Sequence, residues 1–204
     1  MIPKIRYLIF SILLLTFSYC SFSSESTYLG TILDNHDSYK FSIKDHSNKL
    51  INSGEHGSNV AILTFMFTEC TDVCPILTHT IKKALSEIPG GNKIPVIIVS
   101  VDPDNDSIEN MNQFIEKWDL ESNWSFINSD SNELDLIWDS YFINPQKTNP
   151  QGGLSGISNA LTERQSVIHS SPVYILDKQG TAQILHTNPI NHLDLAHDLI
   201  QLLY

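Results

Sequence analysis

The 204-residue chain carries 12 basic and 23 acidic residues, which gives a formal net charge of −11 at pH 7. A surface this acidic repels nucleic acid and anionic lipid headgroups, so nucleic acid is excluded as a primary partner. Hydrophobic residues make up 41% of the chain and charged residues 17%. These proportions argue against wholesale disorder, and the length fits about one well-packed domain with a tail.

Residues 1–25 are predicted to be an N-terminal signal or membrane-anchor segment. Lys4 and Arg6 form a short basic head, and an almost wholly apolar run follows them. This order directs a chain into a membrane for export, and the basic head orients it. Cleavage, lipidation at Cys20 and retention as an anchor are three alternatives for the segment. In each case residues 26–204 are predicted to form one domain in an exported compartment.

The first part of the domain is predicted to lead into a strand and then a helix. Residues 26–58 are polar and rich in turns, with short strand candidates at Phe41–Lys44 and Leu50–Ile51. The near-continuous apolar run Val60–Phe67 is typical of a strand buried on both faces. Apolar residues at helical spacing then predict a helix over Ile76–Ile88, ended by a Pro-Gly-Gly sequence.

The middle of the domain repeats this alternation. Pro95–Val101 is a second apolar run that predicts a buried strand. Ser107 is predicted to cap the following helix, and Trp124–Ile127 is predicted to be a short strand. Asp130 followed by Glu133 resembles a capping box that opens a further helix.

The last part of the domain begins with an irregular stretch. Residues 144–168 show no periodicity, and a segment this long without regular structure is usually functional. A strand at Val173–Leu176, a turn and a second strand at Thr181–Leu185 predict a hairpin. Asn188-Pro189 is predicted to begin a final helix. The whole order of elements predicts an α/β sandwich in three layers.

Cys70 and Cys74 follow the first buried strand and enter the first helix, which is where thioredoxin-like folds carry their chemistry. Backbone N–H groups at a helix start favour the thiolate form of a nearby cysteine, and thiolates bind soft ions such as Cu(I). In an oxidising compartment the same two residues can form a disulfide. Three roles are therefore open from the residues alone: a structural disulfide, a redox couple and a pair of ligands for a soft metal.

His169 is the first candidate for a third ligand among the eight histidines of the chain. It ends the irregular stretch and precedes the strand predicted at Val173, which in this type of fold runs beside the cysteine turn. Two thiolates and one imidazole make a three-ligand copper site. The alternative for this residue is a plain loop histidine.

Three motifs, in this order, resemble the SCO (SenC/PrrC) family of copper-binding, membrane-anchored, thioredoxin-like proteins. The resemblance runs from about Phe41 to the C-terminus. The chain departs from the commoner residues of the family at Met66, Thr71, Ile168 and Lys178, and none of these is a ligand position. The motifs are Phe67-Thr-Glu-Cys-Thr-Asp-Val-Cys-Pro75, Val99-Ser-Val-Asp-Pro-Asp-Asn-Asp106 and His169-Ser-Ser-Pro-Val-Tyr-Ile-Leu-Asp177.

The resemblance implies a thioredoxin-like three-layer sandwich with a mixed central sheet and a long loop before the ligand histidine. It implies one copper ion per chain, Cu(I) or Cu(II), bound by Cys70, Cys74 and His169. Asp72 and Asp102 also match family positions, and we expect them to be carboxylates close to the ligands. A helix cap is the alternative for Asp72.

The function implied by the resemblance is that of a copper chaperone, a binding protein rather than an enzyme. Its expected partners are cytochrome c oxidase subunit II, whose copper centre it helps to assemble, and a further copper-donor protein. Its expected location is the periplasmic side of the inner membrane, reached through the N-terminal segment. The alternative is a thiol–disulfide oxidoreductase in which Cys70 and Cys74 form a redox-active disulfide that reduces the copper-ligand cysteines of the oxidase.

Overall fold

The computed structural model describes residues 27–34, 36–148, 166–168 and 171–204. The predicted segment 1–25 lies outside these residues. Within the described ranges, every helix is too short or too polar to cross a bilayer.

The described residues contain ten strands and four α-helices. The strands are β1 (Thr31–Ile32), β2 (Ser42–Lys44), β3 (Leu50–Asn52), β4 (Val60–Met66), β5 (Val96–Ser100), β6 (Trp124–Ile127), β7 (Gln146–Thr148), β8 (Ser166–Ile168), β9 (Val173–Asp177) and β10 (Ala182–His186). The helices are α1 (Val73–Ser86), α2 (Ile108–Lys117), α3 (Ser131–Ser140) and α4 (His192–Leu203).

Six strands form one mixed sheet in the order β1–β10–β9–β4–β5–β6. The strands β4, β5 and β6 are parallel, while β9, β10 and β1 continue the sheet by antiparallel pairing. Every residue of β4, β5 and β6 is buried. Both faces of the sheet are therefore covered at its centre, as the two apolar runs predict. The α/β class with a mixed central sheet is confirmed.

The helices are joined to the sheet and to one another by packing and by a few long-range hydrogen bonds. Helix α1 packs against α4, and α4 contacts β4. The ammonium group of Lys82 donates to the carbonyl of Trp118 at 2.8 Å, which joins α1 to the end of α2. The indole N–H of Trp138 donates to the carbonyl of Ser100 at 3.0 Å, which joins α3 to the end of β5.

Two of the predicted helix starts are confirmed by their caps. The hydroxyl of Ser107 accepts a hydrogen bond from the Asn110 N–H at 3.2 Å at the start of α2. The carboxylate of Asp130 accepts one from the Glu133 N–H at 3.1 Å at the start of α3. Both satisfy backbone donors that have no partner within the helix.

The other two predicted starts are wrong. Helix α1 begins at Val73 rather than at Ile76, because Pro75 is tolerated in a first turn, where its missing N–H has no helical acceptor. Helix α4 begins after Asn191, whose side chain accepts from the Leu193 N–H at 2.9 Å. The predicted start at Asn188-Pro189 lies before this cap.

The stretch 144–168 contains two short strands that its sequence did not indicate. Strands β7 and β8 pair antiparallel, with Gln146 opposite Ile168. The intervening residues 149–165 lie outside the described residues. Strand β1 was likewise not predicted.

A buried carboxylate on α4 binds the start of the described chain. Asp198 is fully buried and accepts hydrogen bonds from the backbone N–H groups of Leu29 at 2.9 Å and Gly30 at 2.8 Å. Its oxygens also lie 3.0 Å from Nε2 of His186 and 2.9 Å from Nδ1 of His197. One side chain thus connects the residues before β1 to β10 and α4.

Candidate metal centre

Three parts of the chain meet at one edge of the sheet, where β4 and β5 end and β9 begins. Met66 lies opposite Ser100, and Thr64 lies opposite Val173. The buried hydroxyl of Thr64 donates to the carbonyl of Pro172 at 2.8 Å. Residues 67–72, here called the cysteine loop, connect β4 to α1 at this edge.

The two cysteines are close together, as their spacing predicts. Cys70 lies in the cysteine loop and is half-buried, whereas Cys74 lies in the first turn of α1 and is fully buried. The backbone N–H of Cys74 donates to the sulfur of Cys70 at 3.4 Å, and both residues carry free thiols. Cys70 is therefore partly exposed to solvent, whereas Cys74 belongs to the buried core.

The surroundings of Cys70 favour its thiolate form. The thiol of Cys74 donates a hydrogen bond to the sulfur of Cys70. This bond is the main cause that lowers the pKa of Cys70 from 9.0 to about 6. Burial opposes the shift, while backbone N–H groups of Cys74, Asp72 and Val73 add to it. A half-exposed thiolate at a helix start is typical of redox and metal-binding cysteines.

Cys74 is held in its neutral form. Its hydrogen bond to Cys70 raises its pKa, and burial and the negative charges of Cys70 and Asp106 act in the same direction. The backbone N–H of Phe67 opposes the shift. At neutral pH the pair therefore carries one negative charge, on Cys70, and one proton, on Cys74.

Asp72 occupies the N-cap position of α1, but its side chain makes no capping hydrogen bond. The carboxylate is exposed, and the part of Asp72 that acts on the site is its backbone N–H, which stabilises the Cys70 thiolate. The sulfur of Cys70 thus accepts hydrogen bonds that a capping side chain accepts in an ordinary helix.

Asp102 follows the end of β5 and is 3% exposed. Its backbone N–H donates to the Ser100 hydroxyl at 3.1 Å, and its Oδ2 accepts from the side-chain amide of Asn105 at 2.8 Å. Its Oδ1 is buried and has no hydrogen-bond partner among the described residues. Through its carbonyl it accepts the backbone N–H of Asp106 at 2.9 Å.

Asp106 is a residue of this site to which the sequence analysis assigned no role. It is 1% exposed, and burial raises its pKa to about 6. Its Oδ1 accepts both the backbone N–H of Thr68 at 2.8 Å and the hydroxyl of Thr68 at 2.7 Å, and its Oδ2 accepts the hydroxyl of Ser100 at 2.5 Å. The available signal was an acidic residue next to the helix cap Ser107, shortly after a wholly buried strand.

His169, the predicted third ligand, lies outside the described residues. The chain is described on both sides of it, up to Ile168 of β8 and again from Ser171, which leads into β9. Across ranges 27–34, 36–148, 166–168 and 171–204, no three His, Cys, Asp or Glu side chains are grouped so that they could hold a metal ion. The described part of the site therefore supplies two sulfurs, a donor set that suits a soft metal.

Comparison with known proteins identifies relatives over most of the chain. The SCO1/SenC family model matches residues 31–203. The SCO2-like protein of Rickettsia prowazekii is 26% identical over 144 residues, which are 69% of this chain and 64% of that protein. The match thus spans just under two thirds of the length of this curated relative.

Two solved structures illustrate the likeness of the fold. ScoI of Bradyrhizobium japonicum with copper bound has a TM-score of 0.66 and 21% identity, covering 81% of this chain and 99% of that chain. BsSco has a TM-score of 0.60 and 19% identity, covering 87% of this chain and 96% of that chain. BsSco is described as having a disulfide switch and as a member of the Sco family of cytochrome c oxidase assembly proteins.

These likenesses confirm the thioredoxin-like architecture predicted from the sequence. The family match covers nearly the whole domain and includes the cysteine loop, the segment with Asp106 and the residues from 169 onward. The chain belongs to the SCO1/SenC family.

Proposed function

We propose that this chain is a copper chaperone that binds one copper ion through Cys70, Cys74 and His169. In this proposal the ion is cargo, which the chain delivers to the copper centre of cytochrome c oxidase subunit II. The observation that carries the proposal is the thiol pair, in which a half-exposed thiolate lies against a buried second sulfur. Membership of the SCO1/SenC family and the copper-bound ScoI support the same role.

The protonation of the pair determines how copper is taken up. Cys70 is already a thiolate at neutral pH, so it is the first sulfur available to an incoming ion. Cys74 holds its proton until the ion replaces it, and uptake therefore releases a proton. The neutral imidazole of His169 supplies the third donor. We further propose that the domain works on the periplasmic side of the inner membrane, where residues 1–25 deliver or anchor it.

The test is copper binding by the full-length chain, reduced under anaerobic conditions and titrated with Cu(I) against a competing chelator. We expect one ion per chain. His169→Ala should weaken binding by more than the roughly 10–100-fold that groups behind a ligand contribute. His79→Ala is the matched control, because His79 is an exposed histidine on α1.

Two results would contradict the proposal in different ways. If the unmodified chain binds no copper, the chaperone function is wrong. If it binds copper and His169→Ala binds it equally tightly, the third ligand is wrong while the function stands.

A second candidate function is thiol–disulfide exchange, favoured by the asymmetry of the two cysteines. The Cys70 thiolate would attack one sulfur of a substrate disulfide, forming a mixed disulfide and releasing the other sulfur as a thiolate. Cys74, after giving up its proton, would then attack Cys70, forming the Cys70–Cys74 disulfide and freeing the second substrate thiol. A small-molecule dithiol supplied in excess would reduce the Cys70–Cys74 disulfide again and allow further cycles. Catalytic turnover of a disulfide substrate by metal-free protein under these conditions would support this function, and its absence would eliminate it.

A further inference from the structure

The carboxylate of Asp106 connects the cysteine loop to the end of β5. Its oxygens accept hydrogen bonds from Thr68 in the loop and from Ser100 in the strand. Thr68 is 38 positions away along the chain and Ser100 is six. Hydrogen bonds to a buried carboxylate are charge-assisted and are stronger than bonds between neutral groups. The loop is thereby fixed to the sheet at one residue.

Thr68, the residue that Asp106 holds, lies in the chain next to the backbone groups that position the two sulfurs. Phe67, directly before Thr68, directs its backbone N–H at the sulfur of Cys74. Cys70, two residues after Thr68, donates its own N–H to the carbonyl of Phe67 at 3.3 Å. Movement of Thr68 would therefore displace both the donor at Cys74 and the backbone that carries Cys70.

We propose that Asp106 is a positioning residue for the thiol pair, which it acts on by holding Thr68 and with it the cysteine loop. Asp106 itself touches neither copper nor a substrate disulfide. Without the Asp106 carboxylate, the cysteine loop should move. Cys74 and the first turn of α1 would then no longer be placed to donate hydrogen bonds to the Cys70 sulfur. The copper-binding part of its test rests on the proposed function, whereas the thiol-reactivity part does not.

The chain offers a closely matched control in Asp45, which is 4% exposed. Its Oδ1 accepts the backbone N–H and the hydroxyl of Ser47 at 2.9 and 2.7 Å, and its Oδ2 accepts the hydroxyl of Ser125 at 2.9 Å. Its Oδ1 also accepts the Lys49 N–H at 3.0 Å. Asp45→Ala therefore removes a similar buried network whose bonds reach no residue of the cysteine loop.

The experiment compares Asp106→Ala, Asp106→Asn and Asp45→Ala in the full-length chain. The readouts are the rate of Cys70 alkylation at neutral pH and the Cu(I) affinity against a competing chelator. Asn keeps an oxygen that can accept both bonds from Thr68 while it removes the charge, so the difference between Ala and Asn isolates the geometric effect. We expect Cys70 alkylation to be about tenfold slower in Asp106→Ala than in Asp106→Asn. The Cu(I) affinity of Asp106→Ala should be lower than that of Asp106→Asn by roughly 10–100-fold.

Equal alkylation rates and affinities in Asp106→Ala and Asp45→Ala would overturn the proposal, because general loosening of the fold would then explain the effect. If Asp106→Ala does not fold, Thr68→Val replaces it and Ser47→Ala becomes its control. Thr68→Val should slow alkylation more than Ser47→Ala, and equal rates would again overturn the proposal. If the unmodified chain binds no copper, the proposed function fails, while the alkylation comparison still decides the role of Asp106.

Discussion

The backbone N–H of Cys74 points at the sulfur of Cys70 across 3.4 Å. The helix that begins at Val73 therefore starts on a sulfur rather than on a capping oxygen, and Asp72, at the N-cap position, contributes no side-chain bond. The reactive sulfur is stabilised by donors that every helix start possesses.

We expect Cys70 to be alkylated selectively, with a midpoint near pH 6, because its pKa is lowered from 9.0 to about 6. Below that pH the sulfur is protonated and reacts slowly, and above it the thiolate reacts. The measurement is the rate of iodoacetamide labelling against pH, with the labelled residue located by mass spectrometry. In Cys74→Ala the strongest donor to Cys70 is absent, so the midpoint should move upward. Preferential labelling of Cys74 in the folded protein would contradict this assignment.

Asp106 should make stability depend on pH in mildly acidic solution. Its pKa is raised from 3.8 to about 6 in the folded state, so between these values the folded state binds more protons than the unfolded state. The free energy of unfolding should therefore fall as the pH rises from about 4 through about 6, for the part due to this group. Urea denaturation of the wild type and of Asp106→Asn should show a difference that changes in this window. A constant difference would show that the carboxyl group does not titrate there.

Thr64→Val should destabilise the fold more than Thr78→Val. Both hydroxyls are fully buried, but Thr64 donates to the Pro172 carbonyl at 2.8 Å whereas Thr78 donates to the Met66 sulfur at 3.7 Å. An unsatisfied buried carbonyl costs about 1–3 kcal/mol, and a thioether is a weak acceptor. Chemical denaturation of both variants is the measurement. Equal losses would show that the bond to Pro172 adds little to the junction of β4 and β9.

Gly30→Ala should lower the free energy of unfolding by about 1–3 kcal/mol, because the added Cβ would lie too close to residues of β10 at the edge of the sheet. The added atom would lie 2.6 Å from Cγ2 of Ile184 and 3.0 Å from the Leu185 carbonyl oxygen. Gly54→Ala is the control, since its nearest contact would be 3.6 Å away. Thermal unfolding should separate the two variants. A Gly30→Ala protein as stable as Gly54→Ala would mean that the start of β1 is not packed against β10 in this way.

The central strands were predictable because their sequences are continuously apolar. The apolar runs around Ile62 and Ile97 have no polar alternation, and a strand covered on both faces needs none. Strands β1, β7 and β8 carry no such pattern, because they are two or three residues long and depend on the strand that each one pairs with. The start of α4 was misplaced because Asn188 and Asn191 offer the same capping chemistry three positions apart.

The candidate site was predictable where its chemistry is local. Cys70 and Cys74 are four positions apart. Their contact follows from their place between the end of β4 and the first turn of α1. The part played by Asp106 depends on bonds to Thr68 and Ser100, and sequence spacing alone does not show which of several nearby acids becomes buried. The assignment of His169 as a ligand stays a prediction.

The attachment of Leu29 and Gly30 to Asp198 has a mechanical consequence. Tension arriving through the residues before Thr27 would load β1 and α4, where these bonds and the β10 ladder resist it. Strand β1 is separated from β4 by two strands, which at ordinary strand spacing is about 14 Å. A pull on the residues before Thr27 would therefore act first on the edge of the sheet away from β4, the strand that leads into the cysteine loop.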